Sequence, residues 1–193
     1  MSSPTRPEAL APVEPEAGTL VHTTADRQLA AEHWLAAAHP NAAQVRWEWV
    51  HRGVALLPLG TLFSAARIPT RLVRAVAEAE RRSPNDCLAA AFKGGPVIYD
   101  PHSEHYYALV PGSMPHEWRE AAAEWPRWGA ALLGRDTLLG VPRVSATAAA
   151  PGECPSHWAV PMPSAGELCD PMAVATFVTS ATWFVDREDQ ARS

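Results

Sequence analysis

Within six residues, Asp100-Pro-His102-Ser103-Glu104-His105, the chain gathers a carboxylate and two imidazoles. Carboxylate oxygen and imidazole nitrogen are donors for a divalent metal, so Asp100, His102 and His105 form the candidate metal set. The β-rich segments 97–99 and 106–110 flank a turn-like stretch, 101–104, which predicts a β-hairpin with Asp100 facing His105. The plainer reading is a tip that is polar because water solvates it. No HExxH motif or second His/Cys cluster supports a metal.

Other chemistry is less well supplied. The chain has no G-x-S-x-G turn for a hydrolase nucleophile, Lys93-Gly-Gly lacks phosphate-loop spacing, and G-x-G-x-x-G does not occur. Arg67, Arg71 and Arg74 surround the start of a helix expected after Pro69, where outward backbone N–H groups suit a phosphate. A solvated, salt-paired face explains them more simply. The eight tryptophans offer stacking platforms for bases, yet tryptophan at helical or strand spacing is mostly core. Cys87, Cys154 and Cys169 are widely spaced without a CxxC pair, so they read as reduced thiols rather than a disulfide framework or a zinc site.

These residues need elements to position them. Residues 1–22 hold Pro4, Pro7, Pro12 and Pro15 among acidic and small residues and predict a disordered tail. A single domain is expected over 23–186, with a polar tail over 187–193. Thr23 and Asp26 have capping-box spacing for a helix over 24–39. Pro40 and Gly53 bracket a second helix, although the alternation at 46–50 also permits a strand. A strand over 54–59, an extended or irregular stretch over 61–68, and helices over 69–82 and 85–92 precede the hairpin. The helix after Pro69 turns Leu72, Val73 and Val76 inward and spaces Arg74, Glu78 and Arg82 for pairing along one face. Beyond the hairpin come a helix within 113–130 broken at Pro126, strands over 137–141 and 157–160 separated by a loop over 145–155, and a helix over 172–185. This order is not a βαβ alternation. It fits an α+β fold with a mixed or antiparallel sheet and helices packed mainly on one side.

Composition narrows the function. At 193 residues, with 47% apolar and 19% charged, the chain is one globular domain in size and type. A net charge of −5 disfavours wrapping duplex DNA. No run approaches the ~20 apolar residues of a membrane span, and the N-terminus lacks a basic-then-apolar signal, so a cytoplasmic location is expected. The fifteen arginines against the single Lys93, with abundant Ala and Pro, read as a high-GC coding bias.

Three segments together carry a family resemblance: Gly60-Thr-Leu-Phe-Ser-Ala-Ala-Arg-Ile-Pro69, then Gly95-Pro-Val-Ile-Tyr-Asp-Pro continuing to Tyr-Ala-Leu-Val-Pro-Gly112, then Leu138-Leu-Gly-Val-Pro-Arg143. In order and spacing they resemble the N-terminal domain of bifunctional primase/polymerases (prim-pol), of the archaeo-eukaryotic primase superfamily, in the degenerate form of small stand-alone actinobacterial proteins. The resemblance covers about residues 25–180. It implies a strand with an Asp-x-Asp/Glu pair holding two metals, Mg or Mn, and a later hairpin whose small residue and His contact the nucleotide. Two metals are needed there to neutralise and align a triphosphate for in-line attack. Where acids are expected this chain has Ser64 and Arg67, and Arg67 would repel a divalent ion. The resemblance makes His105 the match to the family's histidine, with Arg67, Arg71, His102 and Ser103 as further candidate nucleotide contacts. No catalytic residue is assigned.

The expectation is a catalytically inactive prim-pol-like domain that binds a nucleotide, single-stranded nucleic acid or a protein partner. One alternative is a divergent nucleotidyltransferase or metal-dependent enzyme using the Asp100/His102/His105 tip, with a compensating carboxylate pair drawn from Asp100, Glu104 and Asp136. Another is an interaction scaffold without a small-molecule site, docking through the tryptophan-bearing stretch 118–128.

Overall fold

Side chains at the element ends set most of the boundaries in the computed structural model, which describes residues 23–148 and 156–192. Helix α1 (Thr24–Ala36) opens with a full capping box: Thr23 Oγ1 accepts from the Asp26 N–H at 3.1 Å, and the Asp26 carboxylate accepts from the Thr23 N–H at 2.9 Å. Helix α2 (Ala42–Arg52) starts at Asn41, whose Oδ1 accepts from the Gln44 N–H, and stops at Gly53 with φ 72. The helical reading of 46–50 is therefore the observed one. Strands β1 (Val54–Pro58) and β2 (Phe63–Pro69) lead to helices α3 (Thr70–Glu80) and α4 (Pro84–Ala91). Then follow β3 (Val97–Asp100), β4 (His105–Pro111), the short α5 (Met114–Glu117), a 3-10 turn (Trp125–Trp128), β5 (Ala131–Leu133), β6 (Leu138–Pro142), β7 (His157–Val160) and α6 (Pro171–Arg192).

All the pairing is antiparallel. One sheet has the order β5-β2-β4-β3-β7, and β1 with β6 forms a separate two-stranded ribbon. The fold is thus α+β. Apolar burial separates into two cores, one on each face of the five-stranded sheet. On the first, Ile68, Tyr106 and Val110 lie under Leu72, Val76, Leu88 and Phe177 of α3, α4 and α6. On the second, Phe63, Ala65, Ile98, Leu109 and Trp158 meet the ribbon's Ala55, Leu57, Leu139 and Val141. Leu35, Val45 and Trp49 of α1 and α2 complete that layer. Burial on both faces explains why β2 shows no polar alternation: Phe63, Ser64, Ala65 and Ala66 are all buried. The stretch expected to be extended or irregular is an interior strand for the same reason.

Glu48 guards the outer edge of β1. Its carboxylate accepts from Gln44 Nε2 and from the Leu56 N–H, each at 3.0 Å. These bonds, the Gln44 one foremost, hold its pKa below the usual carboxylate range, and they occupy a strand N–H that would otherwise invite another chain.

Several expectations are corrected. Residues 113–130 form no long helix: α5 has four residues, and turns follow to the 3-10 turn. Pro115 can only open a helix, Pro126 supplies no N–H for one, and the chain must return to lay Leu132 beside Ala66. Strand β5, which that return creates, is too short to show a period. The polar tail expected from 187 is instead helical to Arg192. Arg82 pairs with Glu80 at 3.6 Å rather than along the Arg74–Glu78 row. The tail 1–22, Cys154 and the end of the 145–155 loop lie outside the described residues.

Six of the eight tryptophans are core or pack on it, while Trp47 and Trp183 are about half exposed, each at 51%.

Candidate functional site

Strand register brings the hairpin and β2 together. Asp100 pairs with His105, and His105 with Pro69. One step further along, Arg67 pairs with Tyr107, Tyr107 with Ile98, and Ile98 with Trp158. The period of two places Arg67, Tyr107 and His105 on the same face as Phe63, Ala65 and Leu109. Tyr107 was not singled out from the sequence, although its i+2 spacing from His105 on a predicted strand was the signal for it.

The tip closes on itself. Asp100 Oδ1 accepts from the His102 N–H at 3.1 Å and Oδ2 from Ser103 Oγ at 2.7 Å, an Asx turn with both carboxylate oxygens engaged. Ser103 Oγ also lies 3.3 Å from Tyr107 Oη. The His105 Nδ1–H donates to the Ser103 carbonyl, which fixes the tautomer and leaves Nε2 for other work. Glu104 has φ 55, and its carbonyl accepts from the Thr70 N–H at 2.9 Å and Thr70 Oγ1 at 2.8 Å. The turn is thereby tied to the first residue of α3.

This geometry does not assemble the candidate metal set. His102 is exposed, with Nδ1 3.9 Å from Asp100 Oδ1, and His105 turns its Nδ1 to the Ser103 backbone instead. No group of three or more His, Cys, Asp or Glu side chains is placed to hold a metal among the described residues. Asp136 does not pair with Asp100 or Glu104 as a compensating carboxylate either. Asp136 follows Gly134 beyond the Ala65 end of β2, whereas Asp100 and Glu104 lie at the Pro69 end. Four strand residues separate those ends, about 13 Å. Ser64 and Arg67, standing where acids would be expected, are three apart and so face opposite sides of the sheet. Ser64 is fully buried, its Oγ 3.2 Å from the Gly112 carbonyl.

The arginines are also divided. Arg71 donates to the Trp128 carbonyl at 2.8 Å and stands 6.0 Å from that ring, a clamp on the first core. Thr70 has given its N–H to Glu104, so the start of α3 is partly closed to a phosphate. Arg67 is different. It is half-buried on an interior strand, its Nε is buried without a hydrogen-bond partner, and it has no ion pair among the described residues. A guanidinium cannot be neutralised by losing a proton. With its Nδ1–H donated, the neutral His105 ring presents Nε2 as an acceptor, and Ser103 has given its O–H to Asp100. The donor for an anion at this end of the sheet face is therefore Arg67, with its register partner Tyr107 beside it.

No helix among the described residues is long and apolar enough to cross a membrane. Comparison with models of protein families, with curated proteins and with solved structures finds no match to the chain.

Proposed function

We propose that the chain is a non-catalytic binding module of prim-pol type that holds an anionic ligand of the nucleotide class. In this reading, phosphate oxygens meet Arg67, and the Tyr107, Ser103 and His105 groups orient the rest. The observation that carries it is the buried, unpartnered Arg67 Nε on an interior strand. A permanent charge held there in a chain of net charge −5 calls for a counter-ion from outside. Asp100 supports the non-catalytic part, because both its oxygens are engaged within the turn.

A thermal-shift panel of nucleoside mono-, di- and triphosphates, with and without Mg or Mn, tests the proposal. Ligand at a hundred times its Kd adds about 2.7 kcal/mol of stability, or about 5–11 °C for a chain of this size. The expected result is a rise with nucleotide in the absence of metal, reduced in Arg67→Met. No shift with any nucleotide refutes it, and a shift that depends strictly on Mn would favour the metal-dependent alternative.

A further inference from the structure

A second region gathers cations without counter-charges. Between the C-terminal end of α2 and the segment after β6 lies a cleft of about 530 Å³. Such a volume is ample for a small ligand. His51, Arg52 and Arg143 line it, with the hydroxyls of Ser145, Thr147 and Ser156, and no carboxylate does among the described residues. Neither arginine has an ion pair among the described residues. The nearest acid in sequence is Glu48, one turn before Arg52; the Arg52 charge adds to the lowering of its pKa, but its oxygens are taken by Gln44 and the Leu56 N–H.

The cleft walls are fixed from beneath. Trp49 Nε1 donates to the Val141 carbonyl at 2.9 Å, and Trp158 Nε1 donates to the Arg143 carbonyl at 3.1 Å. The Arg143 N–H donates to the Gly53 carbonyl at 3.1 Å, so its backbone is held on both sides. A helix C-terminus by itself repels an anion. Here three of its carbonyls are already capped: Trp49 by the Gly53 N–H, Gly53 by the Arg143 N–H, and Trp47 by the His51 Nδ1–H at 2.7 Å. His51 also stacks on Trp47 at 4.4 Å, which leaves its Nε2 directed away from the helix backbone.

We infer that this cleft is a second anion site, which takes a phosphate group between Arg52 and Arg143, with the hydroxyls of Ser145, Thr147 and Ser156 completing the donor set. Guanidinium forks match phosphate oxygens in pairs, and the backbone that carries them is set before the ligand arrives. The site is separate from the Arg67 row. Trp158 and Arg67 stand three strand spacings apart across β7, β3, β4 and β2, about 15 Å.

The test is a titration of the full chain with inorganic phosphate and with pyrophosphate, followed by amide NMR and matched in ionic strength with chloride. The expected result is saturable shifts at Gly53, Arg143, Ser145 and Thr147. The affinity should fall at least ten-fold in Arg52→Gln/Arg143→Gln and stay unchanged in Arg67→Met. Both substituted side chains are exposed and the clamping bonds are backbone ones, so the double variant keeps the fold; the wild-type shift map tests the site independently. Shifts no larger than those of chloride overturn the inference. So do equal affinity in the double variant, or loss of binding only in Arg67→Met. Failure of nucleotide to bind at Arg67 leaves these signals untouched.

Discussion

On β2, Arg67 occupies a position whose strand neighbours Ala66 and Ile68 are fully buried, and its own Nε is buried with no partner. Such a group costs about 1–3 kcal/mol relative to an apolar replacement of the same shape. Arg67→Met keeps the unbranched stem that packs along the sheet and removes the guanidinium. Arg67 is only half-buried, so water relieves part of the penalty and the expected gain is near the lower bound, about 1 kcal/mol. For a chain of this length that raises the melting midpoint by about 2–4 °C. Urea and thermal unfolding in a buffer without phosphate or sulfate measure the change, with Arg67→Lys as a variant that keeps the charge. A variant more stable than the wild type yet weaker in binding nucleotide is the signature of a residue kept for a ligand. If Arg67→Met melts below the wild type in anion-free buffer, the guanidinium is making a stabilising contact within the fold and the argument for a ligand fails.

Three further outcomes are expected. Gly95→Ala should destabilise by about 1–3 kcal/mol through overpacking, read by urea unfolding, because an added Cβ would come within 2.8 Å of Cys169 Sγ and 2.9 Å of its Cα. Burial pushes the Cys87 thiol up to about 11 and the Cys169 thiol up to about 12. The folded chain keeps these protons when an unfolded thiol, with a pKa of about 8.5, has lost them; stability should therefore fall as pH rises from that value through the folded pKa values. A thiol reagent at pH 8 should leave both cysteines unmodified until the protein unfolds. Glu48 has the opposite sign: its pKa is depressed in the fold, so its stabilisation is present above the unfolded carboxylate pKa and is lost as pH falls through the folded one. Glu48→Ala should flatten the acid limb of the stability–pH profile and, by baring the Leu56 N–H on the β1 edge, promote self-association seen by light scattering.

Much of this fold was legible because short-range chemistry marks it. The capping box at Thr23, the left-handed stop at Gly53 and the alternating hairpin strands each report on themselves locally. Strand β2 was half legible: its extended character showed, but its central role did not, since two buried faces erase the period-two pattern. The stretch 113–130 misled because its Ala, Glu and Arg favour helix, whereas the outcome was decided by two prolines and by the pairing of Leu132 with Ala66, a contact more than sixty positions apart in sequence. The candidate site shows the same division. The turn residues 100–105 were visible as a polar cluster, but whether their side chains aim at a ligand or at one another depends on the Asx turn, which only coordinates reveal. Tyr107 joined the site through the register of three strands, and the Arg52–Arg143 cleft through a packing of α2 on the β1–β6 ribbon that local sequence does not encode.

The most direct measurement is calorimetric titration of a nucleoside triphosphate, without divalent metal, into Arg52→Gln/Arg143→Gln and into the same variant carrying Arg67→Met. Binding at Arg67 predicts saturable heat in the first and its loss in the second. Unchanged affinity on adding Arg67→Met would contradict the account.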